Sequence, residues 1–227
     1  NTLDSNTTGS YNSAFGRDAL GANTTGLNCT AVGVNALLLN TTGEGGTAVG
    51  EGALRANTTG TRNTAFGSTA CYKNTTGNHN TGMGRSALED NTTGSSNSAF
   101  GYYALGDSTT SSDNTAVGYY ALKANTTGTG NTAVGKDALI TSTTTSSNTA
   151  VGYNALKLST GGYSTAVGYL ALSYDTTGGE NSAFGTQASE RNTTGVYNLS
   201  CGQYALRFNQ TGSYNTAVGS NALSTAT

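Results

Sequence analysis

The chain has no proline and no tryptophan, one histidine, one methionine and three cysteines in 227 residues. Charged residues make up 10% of it, and the formal net charge is −2. Each shortage excludes something. Without a basic stripe there is no electrostatic footprint for nucleic acid, and without a polybasic segment there is none for an anionic membrane surface. No apolar run approaches the roughly 18–20 residues of a membrane-spanning helix, so no membrane insertion is expected. Cys29, Cys71 and Cys201 fall in different repeats at different places within them, neither a disulfide framework nor a metal spacing. They are expected to replace core or turn residues. His79 is expected to be a surface turn residue. No nucleophile elbow, phosphate loop or repeated acidic calcium turn occurs. No catalytic residue, cofactor or metal is therefore assigned, and the chain reads as a non-enzyme. The hydrophobic fraction of 34% would suit disorder, but disorder usually brings proline, high net charge and irregular spacing.

The spacing here is strict. With NTAVGYYALKANTTGTG (114–130) as the type unit, thirteen units begin at Asn12, Cys29, Gly46, Asn63, Asn80, Asn97, Asn114, Asn131, Asn148, Ser164, Asn181, Asn198 and Asn215. All are 17 residues apart except the unit from Asn148, which has 16. Residues 1–11 are the tail of an earlier unit and 215–227 the head of a later one, giving a single tandem-repeat domain over 1–227. Position 5 is Gly in all thirteen units, Gly16 and Gly118 among them, which calls for positive φ or a close backbone approach. Position 8 is always Ala, as at Ala121. Position 9 is Leu except at Cys71 and Ser189, and position 3 is Ala, as at Ala116, except at Gly82 and Ser200. Charged residues fall mostly at positions 6, 7, 10, 11, 16 and 17, which are expected to face water.

Positions 2 and 4 compensate in volume. Ser13 goes with Phe15, Ser98 with Phe100 and Ser182 with Phe184, while Thr goes with Val in seven units. Leu199 goes with Cys201, and only Thr64 with Phe66 and Thr81 with Met83 blur the rule. Residues i and i+2 share a face only in a strand, and fixed volume is the mark of close packing. TAVG therefore reads as a strand with Thr and Val in the interior. The small residue at position 3 would then face outward and be covered by another part of the coil or by a second chain. A 17-residue unit is too short for helix-pair repeats and suits an all-β parallel β-solenoid of about 13 coils. Each coil would have two short strands, or a strand and one tight helical turn at NAL. NTTG supplies turn residues and stacked Asn and Thr ladders. The repeat runs close to both termini without visible caps, so the expectation is a piece of a longer repeat protein, or molecules stacked end to end in a filament.

NTAVG and SAFG followed by a short small-residue segment resemble the head repeats of YadA-type trimeric autotransporter adhesins, which are β-rolls wound in a trimer. NTAVG–NAL–NTTG arrays also resemble repeats of phage tail fibres and other surface fibres. The 17-residue coil and the NTTG insert depart from the adhesin heads. The resemblance implies a non-catalytic structural fibre on a cell or virion surface, self-associating side by side as a homo-oligomer such as a trimer. It also implies the alternative of a receptor- or glycan-binding adhesin or tail-fibre shaft. Sequons at Asn6, Asn23, Asn40, Asn57, Asn74, Asn91, Asn125 and Asn192 are candidate glycosylation sites. Ser108, Ser142, Ser159 and Asp175 at the same repeat position favour turn chemistry instead. Tyr102, Tyr103, Tyr119 and Tyr120 form a candidate surface strip for glycans. Ordered Thr rows raise ice binding, against which stands the expected burial of position 2.

Overall fold

The structure, a computed structural model, describes residues 2–225. It is an all-β parallel β-solenoid, with no helix among the described residues. Two compact units meet the eye, one ending at Asn114 and one beginning at Thr115. The first holds strands β1–β6, from Ser13–Phe15 to Ser98–Phe100, and the second holds β7–β13, from Thr115–Val117 to Thr216–Val218. Each strand covers positions 2 to 4 of its repeat, and within each unit neighbouring strands pair in parallel, in register with the same residues one coil on, as in Thr30↔Thr47, Ala31↔Ala48 and Val32↔Val49. The rungs bind coil to coil: Thr30 N–H donates to the Gly46 carbonyl, and Gly33 N–H to that of Phe15, both at 2.8 Å.

No second strand follows in any coil among the described residues. Positions 5 to 12 form a run of turns whose amides alternate in direction. Ala36 N–H closes onto the Gly33 carbonyl of its own coil (3.3 Å), whereas Leu37 N–H donates to Ala53 of the next coil (3.0 Å) and Asn35 N–H to Arg17 of the previous one (2.9 Å). The residues that donate outward at positions 7, 9 and 17 are left-handed, with φ between +48° and +61° where they are not glycine. Such a backbone costs on the order of 1 kcal/mol for a residue with a Cβ. It persists here because it turns the N–H onto the neighbouring coil. Gly at position 5 meets both expectations. Gly118 has φ +138°, and a Cβ there would lie 2.6 Å from the Gly135 carbonyl oxygen.

The strand is oriented opposite to the sequence reading. Ala31, Ala48, Ala116 and the other alanines of position 3 are buried, apart from half-buried Ala14 of the first coil, while the Thr and Val flanking them face outward. What covers position 3 is the chain itself. A Cβ at Gly82 would meet the Cys71 sulfur of the preceding coil at 2.7 Å and the Ala87 carbonyl oxygen of its own coil at 3.1 Å. The apolar core is therefore thin: Ala at 3 and 8, as at Ala116 and Ala121, with one Leu at 9.

The contact between position 9 of one coil and position 3 of the next explains the exceptions in both columns. They occur together, 11 residues apart: Cys71 with Gly82, and Ser189 with Ser200. The Ser189 hydroxyl donates to that of Ser200 at 2.9 Å, both buried. Ser200→Ala should strand the Ser189 hydroxyl and lower stability by about 1–3 kcal/mol. The double variant Ser189→Leu/Ser200→Ala restores the Leu–Ala pair of the other coils and should recover that loss, measured as thermal midpoints of the four proteins of the cycle.

Candidate functional site

The NTTG corner is built by two columns of buried amides. At position 12, Asn23, Asn40, Asn57, Asn74, Asn91, Asn125 and Asn192 are at most 1% exposed. Each gives Nδ2–H to the carbonyl of the glycine three residues on, as Asn57 to Gly60 (2.9 Å). All but Asn125 give the second hydrogen to the position-12 side chain of the preceding coil, as Asn57 to Asn40 Oδ1 (2.8 Å). The nitrogen that would carry a glycan is thus buried in all seven, with both hydrogens engaged in six of them and one engaged in Asn125. Asn6, an outlying member of the same ladder, is exposed. Position 1 forms the second column: Asn63 Nδ2 donates to the Gly77 carbonyl (2.7 Å), and its Oδ1 accepts from Asn80 N–H (2.9 Å). Between the columns, the N–H groups of Thr24, Thr25 and Gly26 converge on one carbonyl, that of Thr41, at 3.0–3.3 Å, joined by the Thr24 hydroxyl at 3.0 Å.

The coils that lack the asparagine rebuild the corner in kind. Ser108 is paired with Ser111 (2.6 Å) and Ser142 with Thr145, each hydroxyl at position 15 standing where the other coils have glycine. In the 16-residue coil, Ser159 donates to the Gly161 carbonyl at 3.3 Å. The fourth replacement, Asp175, is fully buried, with Oδ1 accepting from Asn192 Nδ2 (3.0 Å) and Oδ2 without a partner. Burial pushes its carboxyl up to about 7, against the smaller pull of the Asn192 and Gly178 hydrogen bonds. Burial likewise pushes the Cys71 thiol up to about 12, so that it stays protonated as a core residue. The Cys29 thiol, also raised chiefly by burial, donates to the Gly43 carbonyl at 3.4 Å, taking the place of the position-1 amide.

The tyrosine strip divides between the two units. Tyr102 and Tyr103 lie in the first, with ring centroids 5.9 Å apart and tilted by 50°. Arg85 sits over the Tyr102 ring, and a Cβ at Gly106 would meet the Tyr103 ring at 1.9 Å. Tyr119 and Tyr120 lie in the second, 4.1 Å apart, with Lys136 over Tyr119 and Lys123 over Tyr120. Further along the second unit Tyr153 stacks on Tyr169, and Tyr197 on Tyr214. A sugar is gripped by an open aromatic face. Here cations and neighbouring rings of the same chain lie over faces of these tyrosines, so the strip is in good part a ladder of the coil's own making.

The surface that sequence reasoning missed is the outer face of the strands. Position 4 is apolar in every coil yet exposed or half-buried throughout, with Phe66 52% and Met83 and Phe184 40% accessible. Position 2 beside it carries Ser, Thr or Leu, and no charge occurs in either column. The signal was present in the volume compensation, but it was assigned to the wrong side of the sheet.

Comparison with protein-family models, with curated proteins and with solved structures finds no match to this chain.

The corner makes a direct prediction. Ser111→Gly should leave the buried Ser108 hydroxyl without its partner, and Ser108→Asn alone should crowd the Ser111 side chain. Each should lower stability by about 1–3 kcal/mol. The double variant recreates the Asn–Gly corner and should recover most of the loss in thermal unfolding. Additive losses would mean that the two positions are not one structural unit.

Proposed function

We propose that this chain is a non-catalytic segment of an extracellular or virion-surface fibre, assembled side by side from copies that meet through the outer strand face. One observation carries the reading: an exposed column that is apolar in all thirteen coils and uncharged together with its neighbour. Isolated exposed apolar residues need no explanation, but a contiguous row marks an interaction surface. A three-residue strand about 10 Å long, repeated every 4.8 Å or so, offers about 50 Å² per coil. The six strands of the first unit and the seven of the second then offer on the order of 300 and 350 Å², each a substantial share of the roughly 800 Å² that a partner buries in a standard interface. A second copy fits because a face without charge does not repel itself. Volume compensation between positions 2 and 4 also makes sense if something packs against both. The resemblance to trimeric adhesin heads and tail-fibre repeats points the same way.

The outward Thr column also lifts the objection to water ordering, since position 2 is not buried. The row of Phe and Met at position 4 interrupts the regularity which that second reading needs.

Cys201 supplies a built-in probe, because it lies on this face and is the exposed one of the three thiols. Mild oxidation of the native protein should yield covalent dimers through Cys201, lost in Cys201→Ser. Val117→Lys/Val134→Lys/Val151→Lys should convert the oligomer seen by light scattering to monomer with an unchanged circular dichroism spectrum. A wild-type monomer whose Cys201 does not cross-link would overturn the proposal, and one that also shapes growing ice crystals would select the water-ordering reading.

A further inference from the structure

Asp175 stands in a column whose other members do not titrate. In an Asn corner, Nδ2–H closes the turn by donating to the glycine carbonyl three residues on, as Asn192 does to Gly195 at 3.0 Å. Asp175 keeps the acceptor half of the pattern, Oδ1 taking the Asn192 hydrogen, but its Oδ2 replaces the donor and is left buried without a partner. Its surroundings offer no countercharge. Ser159 precedes it in the column, Leu172 accepts its N–H, Gly178 donates to it from its own coil and Asn192 follows; none of these titrates, and no charged side chain contributes to its raised proton affinity.

We propose that the corner formed by Asp175–Gly178 is a proton-operated clasp. With the carboxyl protonated, the Oδ2 hydroxyl does what an asparagine Nδ2 does and donates to the Gly178 carbonyl. When the proton leaves, a buried anion faces that carbonyl with nothing to neutralise it, and the corner opens. The proton goes to water, and no other group changes state.

The direction follows from linkage. An exposed aspartate titrates near 3.9, whereas the buried carboxyl holds its proton up to about 7. The opened corner therefore binds protons less tightly than the closed one. Closure is complete in acid, weakens as pH rises between these two values, and levels off above the upper one.

Native-state amide exchange tests this in the whole chain. After correction for intrinsic rates, the opening constant at Asp175–Gly178 should rise on the order of tenfold per pH unit between pH 5 and 7. It should be flat in Asp175→Asn and in Asp175→Ser, both of which install a side chain that other coils already carry. The Asn57–Gly60 corner, which has no titratable member, serves as control and should be flat in all three proteins. Matching profiles for wild type and both variants at 175–178 would overturn the clasp. The fibre reading plays no part in this inference and stands or falls separately.

Discussion

Burying a hydrogen-bonding side chain in every turn of a chain obliges every turn to present a partner at the same place, and the architecture grows from that obligation. Asn57 donates to Gly60 within its coil and to Asn40 in the coil before, while its own Oδ1 receives Asn74. Thr41 offers one carbonyl to three amides and a hydroxyl of the coil before it. Such contacts fix the register to the residue, since a slip by one position would break every rung at once. They also show where a deletion is tolerated. The 16-residue coil lacks position 14, whose N–H shares its acceptor with two neighbours. Thr160 still donates both N–H and hydroxyl to the Thr176 carbonyl, at 2.6 and 2.8 Å.

The same obligation accounts for the backbone. One Leu and two Ala per coil make a thin apolar core, so the chain cannot rely on side-chain burial alone. A left-handed residue at positions 7, 9 and 17 sends its N–H along the stack instead of around the coil. Each such conformation is unfavourable by itself and is held by a bond to a neighbouring turn, the next one for position 9 and the previous one for positions 7 and 17. Stability then resides in the interfaces between neighbouring coils, as in other linear repeat arrays.

Much of this was legible in the sequence. The period, the parallel strand at TAVG, the constrained Gly118 and the ladder role of NTTG all follow from columns that do not vary. The side on which Ala116 lies did not follow, because compensation between Thr115 and Val117 columns establishes a shared face without saying which face is buried. Leu122 in a left-handed conformation was also not legible, since leucine disfavours it and only the inter-coil hydrogen bond selects it. The role of the sequons was not legible, because N-x-T describes a glycan acceptor and a buried corner equally well; the structure adds that Nδ2 points into the coil at Asn57 and its counterparts. The paired exceptions at 71 with 82 and 189 with 200 were on the page, and become readable once columns are compared across coils rather than down one.

Core and outer face treat volume differently, and that contrast bears on assembly. In the core the exceptions shrink together, Cys with Gly and Ser with Ser, and hydrogen bonding takes up what packing gives away. On the outer face the exceptions trade size, Ser beside Phe and Leu199 beside Cys201. A surface in contact with water alone has no reason to hold its summed volume nearly constant, because water fills whatever space is left. A close-fitting wall does have that reason. Among the described residues the outer strand face is left half-buried or exposed, and under the proposal of side-by-side assembly a second copy opposite the first would supply such a wall and impose the same size limit from coil to coil.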